Sequence, residues 1–114
     1  MKYISFTVPC YNSQGYMKKC IDSLLTAGND VEIIIVNDGS TDGTLQIANE
    51  YARSFPQIVR VIDKPNGGHG SGVNAGLKAA QGVYFKVVDS DDWLDADALK
   101  ALLDTVKSHI SAGQ

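Results

Sequence analysis

The run Val31 to Val36, VEIIIV, constrains the fold more than any other stretch. It is β-branched and nearly continuous in its apolar character, as a strand covered on both faces would be. Such a strand needs a layer above and a layer below, and the flanking sequence supplies helices at regular spacing. Tyr3 to Val8, YISFTV, reads as a first strand closed by Pro9, which has no N–H to give a ladder. Asn12, Ser13 and Gly15 supply turn and cap chemistry before a helix from about Gly15 to Thr26, with Met17, Cys20, Ile21, Leu24 and Leu25 on one face. Gly28, Asn29 and Asp30 end it. Beyond Val36, Gly39 allows a tight turn and Ser40, Thr41 or Asp42 can cap a second helix. That helix carries Leu45, Ala48, Ala52 and Phe55 inward and breaks before Pro56.

Ile58 to Ile62 reads as a third strand. Asn66 to Gly76, NGGHGSGVNAG, follows it with five glycines in eleven residues, a loop whose backbone can approach a partner closely. A helix begins within it and continues through Leu77 and Ala80, with Gly82 expected as its C-cap. Val83 to Val88 reads as a buried fourth strand. Asp95-Ala96-Asp97 opens a last helix with Leu99, Leu102, Leu103 and Val106 inward, and His109 to Gln114 reads as a frayed tail. Four β-α units predict an α/β fold: a Rossmann-like three-layer αβα sandwich with a mainly parallel sheet and right-handed crossovers. At 114 residues the expectation is a single domain, 1–114.

Sheets of this kind bind ligands beyond the carboxyl ends of their strands, where the strand order reverses. The unusual residues gather at those ends. Strand one stops at Pro9-Cys10-Tyr11-Asn12, strand two at Asn37-Asp38-Gly39 and strand four at Asp89-Ser90-Asp91-Asp92. Unpaired carboxylates cannot remain in a core, so the fourth strand must end at a sheet edge or cleft mouth. Asp89, Asp91 and Asp92 repel one another unless water or a cation spreads their charge. A hard divalent ion such as Mg2+ or Mn2+ suits three oxygen donors; the plain alternative is a solvated turn favouring the next helix N-terminus. One sheet edge chosen three times favours the site.

The net charge of −3 offers no attraction to nucleic acid or to an anionic membrane. No stretch approaches the roughly 20 apolar residues of a membrane span. Cys10 and Cys20 fit no metal spacing and read as free thiols in a reducing, cytoplasmic setting, with membrane association left to the full-length protein.

The motifs VPCYN, VNDGSTDGT and NGGHGSGVNAGLKAAQGVYFKVVDSDDWL, in that order, are similar to those of family 2 glycosyltransferases of the GT-A fold. The resemblance runs from about Phe6 to Leu103. It implies a nucleotide-diphospho-sugar transferase, usually using a UDP-sugar and Mn2+ or Mg2+, that inverts the sugar on transfer. Pro9 and Tyr11 would border the base, and Asp38 would accept a hydrogen bond from the uracil N–H. Asn66 to Asn74, with Gly68 and Gly72 permitting close approach, would pass under the nucleotide. Asp89 and Asp91 would form the Asp-x-Asp metal pair, Asp89 near the ribose as well as the metal, with Ser90 between them at the nucleotide. Asp91 and Asp92 would be the catalytic acids, Asp91 as a direct metal ligand and Asp92 beside the metal or on the acceptor side. Polysaccharide, lipid-linked and protein acceptors are all served by such enzymes.

Val73 departs from the arginine that many relatives carry before the asparagine, so Lys78 or Lys86 would have to compensate or binding would be weaker, and His69 is either a phosphate contact or a solvated residue of the glycine loop. Family members continue for roughly another domain's length. The chain is therefore expected to be the donor-binding half of a truncated transferase, with its acceptor half and general base elsewhere and self-association through uncovered apolar surface. The alternative is a non-catalytic nucleotide- or metal-binding module. A receiver-type signalling domain would need a lysine after a late strand, and a nucleotidyltransferase a basic glycine-rich loop after strand one; neither is found.

Overall fold

The computed structural model describes residues 1–111. Its strands are β1 (Ile4–Cys10), β2 (Val31–Asp38), β3 (Val59–Lys64) and β4 (Tyr84–Val87), all paired in parallel in the order β3-β2-β1-β4. Its helices are α1 (Met17–Leu25), α2 (Thr44–Ser54), α3 (His69–Ala79) and α4 (Ala96–Ser111), with a 3-10 turn at Gly28–Asp30. The chain steps from β1 out to β2 and β3, then returns across the sheet to β4 on the other side of β1. The strand order therefore reverses between β1 and β4.

Parallel register assigns the faces. Ile4, Phe6, Val8 and Cys10 share one face with Val31, Ile33, Ile35 and Val59, and these residues form one core with Met17, Ile21, Ala48, Leu99 and Leu103. That face carries α1, α2 and α4. Among the described residues the opposite face takes α3, through glycines: Gly76 lies directly on the Thr7 side chain, and Gly72 lies over Pro9. Any side chain at Gly76 would collide with Thr7, whose Oγ1 is buried without a partner.

Several expected details differ. Pro9 does not close β1 but lies within it, paired with Val36. Tyr84 N–H donates to Tyr3 O and Val88 N–H to Thr7 O, so alternate β1 residues direct their backbone toward β4. Pro9 is the next in that series, and β4 has already ended, so its missing N–H breaks no ladder bond. β2 runs two residues past Val36, through Asn37 and Asp38, and is buried along its whole length. α3 stops at Ala79, so Gly82 is no C-cap. It presses against β1 instead, its N–H donating to Ser5 Oγ at 2.7 Å, where a Cβ would meet Ser5 N at 2.7 Å.

β4 is not buried: it is an edge strand with Tyr84 40% exposed and Val83, just before it, 49% exposed. Phe55 is also exposed and stacks on Tyr51. α4 continues as helix through Ser111, so the expected fraying at His109 to Ser111 does not occur. The remainder of that expected tail, 112–114, lies outside the described residues.

Candidate active site

The loops after β1 and β2 are interlocked. Asn12, in a left-handed conformation at φ 48°, donates its N–H to Ser40 Oγ at 2.9 Å and accepts the Thr41 N–H on Oδ1 at 2.8 Å. Gln14 N–H donates to Asp42 Oδ2 at 3.3 Å, and Gln14 Oε1 accepts the Gly43 N–H at 2.8 Å. Asp42 Oδ1 takes the Thr44 N–H at 2.9 Å, so Asp42 serves the start of α2. Burial pushes the Asp42 carboxyl up, but the Thr44 hydrogen bonds outweigh it and the net shift is downward. The Ser-Thr-Asp run after Gly39 is thus spent on loop architecture.

Asp38 ends β2 and is 4% exposed. Its Oδ1 accepts from Lys64 Nζ at 2.8 Å and from the Gly67 N–H at 2.8 Å, and its Oδ2 accepts the Gly68 N–H at 2.9 Å. Lys64 is in register with Asp38 on β3, which explains the pairing. The Lys64 hydrogen bond, reinforced by the two glycine amides, holds the carboxyl below its ordinary range. Gly39 adopts φ +70°, and a Cβ on it would stand 2.6 Å from Asn66 N, so the glycine-rich loop rests directly on the β2 turn. Pro9, Cys10, Tyr11, Asp38, Asn66, Gly68 and His69 line a cavity of about 380 Å³. Tyr11, half exposed, presents its ring there.

Beside it, Asp89, Asp91 and Asp92 stand on an exposed turn closed by the Asp92 N–H donating to Asp89 O at 2.9 Å. One oxygen from each carboxylate lies within 4.8 Å of the others. Oxygens around a hard cation with bonds of about 2.1 Å stand about 3 Å apart as neighbours and about 4.2 Å apart across it, so the three acids would draw together to hold such an ion. His69 Nε2 lies 2.9 Å from Asp89 Oδ1. Asp89 and Asp92 also line a second cavity of about 440 Å³ with His69, Lys86 and Trp93. His69 therefore stands between the two cavities. Trp93 is 54% exposed rather than packed beneath the turn, and Lys19 Nζ sits 3.4 Å from its ring centroid.

The structure thus gathers Pro9, Tyr11, Asp38, Asn66, Gly68, Asp89, Asp91 and Asp92 at the carboxyl edge of the sheet, flanking the point where the strand order reverses. Asn74 stands apart, exposed on the second turn of α3 and lining neither cavity. Ser90 is buried, its hydroxyl 2.8 Å from Ser13 Oγ. Lys78 lies in the last turn of α3, at the far end from His69. Sequence reasoning missed Ser13 and Lys64, whose roles depend on strand register and loop contact that no local pattern carries.

The sequence model of the Glycosyl transferase family 2 matches residues 5–112. The chain belongs to that family. A chondroitin synthase of Pasteurella multocida (strain Pm70) is 43% identical over 101 residues, covering 88% of this chain and 10% of the relative. The uncharacterized glycosyltransferase EpsJ of Bacillus subtilis is 41% identical over 107 residues, covering 93% and 31%. Among solved structures, S. aureus TarS 1-349 in complex with UDP superposes with a TM-score of 0.82 at 33% identity, covering 96% of this chain and 33% of that one. The mannosyltransferase PcManGT of Pyrobaculum calidifontis, solved with GDP-Man and Mn2+, shares the fold at TM-score 0.77 and 22% identity. The fold is therefore the GT-A type of family 2 glycosyltransferases. This chain spans between a tenth and a third of the length of these proteins.

Proposed function

We propose that residues 1–114 act as one donor domain that binds a nucleotide-diphospho-sugar, a UDP-sugar above others, through Mn2+ or Mg2+. In this reading the sugar passes with inversion to an acceptor hydroxyl of a glycan or lipid-linked acceptor, in polysaccharide or glycoconjugate synthesis. The observation that carries it is the joining of the Tyr11–Asp38 cavity to the three-carboxylate turn across the single residue His69.

The base enters the first cavity, against the Tyr11 ring and the wall formed by Pro9 and Asn66. Asp38 Oδ2 holds one described hydrogen bond, to Gly68, and retains capacity for a ring N–H. Its lowered pKa keeps it an acceptor at neutral pH. The Gly68 backbone, at φ +88°, borders the diphosphate, and His69 contacts it in place of the family's arginine. Asp89 and Asp91 hold the divalent ion, which offsets negative charge on the departing diphosphate. Asp92 faces the second cavity and serves the acceptor side. The acceptor oxygen bonds to the anomeric carbon, its proton passing to a general base, as the bond to the diphosphate oxygen breaks on the opposite side, which inverts that carbon.

TarS, at 33–34% identity, has been solved with UDP and with UDP-GlcNAc, which supports uridine for this chain. Cys10 and Cys20 are free and buried, with thiols pushed up to about 12 chiefly by burial, in keeping with a cytoplasmic setting. No described helix is long and apolar enough to cross a membrane.

Calorimetric titration of UDP, GDP and CDP, each with Mn2+ and again with EDTA, tests the reading on wild type and Asp91→Ala. UDP binding that requires Mn2+ and falls at least tenfold in the variant is expected. UDP binding indifferent to EDTA overturns the metal assignment, and a preference for GDP or CDP overturns uridine. Binding of UDP by the full-length protein without sugar transfer to any acceptor would favour the binding-module alternative.

A further inference from the structure

The acidic turn is attached to the rest of the molecule by few contacts. Val88 N–H donates to Thr7 O at 2.9 Å before it, and Leu94 N–H donates to Ser23 Oγ at 3.1 Å after it. Between those two points, Asp89 Oδ1 meets His69 Nε2 at 2.9 Å on the surface, and the buried side-chain bond among the described residues is Ser13 Oγ to Ser90 Oγ, 2.8 Å long and joining residues 77 apart in sequence, with the Cys10 thiol against both hydroxyls. Ser13 is fully buried and Ser90 nearly so.

Ser13 is itself held from several directions. Its N–H donates to Thr44 Oγ1 at 2.7 Å, and the Thr44 hydroxyl donates to Asp42 Oδ1 at 2.5 Å. Its carbonyl accepts the N–H groups of Tyr16 at 3.1 Å and Met17 at 3.0 Å, at the start of α1. Its hydroxyl lies 3.3 Å from Tyr11 O, which belongs to the wall of the nucleoside cavity. A hydroxyl has one proton to give. If Ser90 donates to Ser13 and Ser13 donates to Tyr11 O, every proton in the chain is used; the reverse order leaves Tyr11 O without this bond. One buried relay thus runs from the acidic turn to the cavity wall.

Ser90 lies between Asp89 and Asp91. With its side chain turned inward, Asp89, Asp91 and Asp92 are all left exposed and gathered. We propose that the Ser13–Ser90 hydrogen bond is the joint that fixes the acidic turn relative to the nucleoside cavity, which makes both serines positioning residues rather than ligand contacts. The inference rests on the nucleotide-sugar reading for its consequence, because the joint sets how far the carboxylates stand from the base.

The test uses Ser90→Ala, Ser13→Ala and the double variant, each checked for an unchanged far-UV spectrum. Ser90→Ala removes one hydrogen bond and leaves the Ser13 proton on Tyr11 O, so Mn2+-dependent UDP binding is expected to weaken about fivefold. Ser13→Ala strands a buried hydroxyl on Ser90, so about tenfold or more is expected, with the double variant no weaker than Ser13→Ala. Uridine without metal, which can meet Asp89 through its ribose but leaves Asp91 and Asp92 untouched, is expected to bind Ser90→Ala within about twofold of wild type, a split that general destabilisation would not produce. A second readout is amide hydrogen exchange at Asp92, whose N–H closes the turn; exchange is expected to quicken in every variant. Wild-type-like Mn2+–UDP affinity in both single variants overturns the proposal, as does equal weakening of uridine and Mn2+–UDP in Ser90→Ala. Should the wild type bind no UDP, the functional reading fails by itself and the exchange data decide the joint: faster exchange supports it, unchanged exchange refutes it.

Discussion

Replacing Asp38 by asparagine keeps the shape of the side chain and removes its charge. In the native protein the carboxylate accepts from Lys64 Nζ and the Gly67 N–H on one oxygen and from the Gly68 N–H on the other. The amide can still accept on one side, but its NH2 group then faces a backbone N–H, and Lys64 loses its counter-charge. Breaking a buried ion pair by removing one partner costs about 3–5 kcal/mol. Because the Lys64 side chain retains 18% exposure, the lower part of that range applies, about 3 kcal/mol. With a urea m-value of roughly 1.5 kcal/mol per molar for a chain of this size, the unfolding midpoint falls by about 2 M at pH 7. The pH dependence follows from the sign of the shift. The folded pKa of Asp38 lies below its unfolded value. Its contribution is therefore full above the unfolded value of about 3.9 and is lost as pH falls through the folded one. The gap between wild type and variant is expected to be constant from pH 7 to about 5 and to narrow below pH 4. Urea titrations at pH 7, 5, 4 and 3 measure it. Equal midpoints at pH 7, or a gap that does not change down to pH 3, would refute the argument that this carboxylate clamps the glycine-rich loop.

Other perturbations have equally direct outcomes. Gly39→Ala places a Cβ at φ +70° and 2.6 Å from Asn66 N, so a loss of about 2–3 kcal/mol in chemical denaturation is expected, together with weaker nucleotide binding. Gly76→Ala drives a methyl group into Thr7 beneath α3 and costs about 1–3 kcal/mol, while leaving the acidic turn untouched. The open edge of β4, with Tyr84 and the preceding Val83 exposed, is expected to promote self-association of this chain. Sedimentation velocity at rising concentration checks it; a strictly monomeric profile at the highest concentration removes the idea.

The β-α alternation was readable because each element carries its own period, 3.6 in α1 and a continuous apolar run in β2. What escaped depends on neighbours. Pro9 reads as a strand terminator until the ladder beside it is known to have ended at Val87. Asn37 and Asp38 read as a turn because polar residues rarely extend a buried strand. Here Asn37 donates to Asp63 Oδ1 at 2.9 Å, and Asp38 finds Lys64 in register. Gly82 has the composition of a C-cap, but the close approach of Ser5 is what demands it. The apolar run at Val83 to Val88 announces a strand covered on both sides, whereas α3 lies over β1 and β2 and β4 is left at the edge. The acids and the Tyr11–Asp38 pair were legible as a site because three strand ends carry them. Their spacing was not, since it is set by Ser13, Ser90 and Gly39 through contacts between distant loops.

The central claim is that the nucleoside cavity and the acidic turn form one donor site. Amide chemical-shift mapping of the 15N-labelled protein, titrated with UDP in the presence of Mg2+, tests it most directly. The account predicts that the amides of Tyr11, Gly67, Gly68 and Asp89 to Asp92 move together with one saturation curve, and that EDTA reverses the shifts of the acidic turn first. Shifts confined to one of the two regions, or centred on the cavity of about 400 Å³ that α4 forms with Thr26 and Ala27, would contradict it.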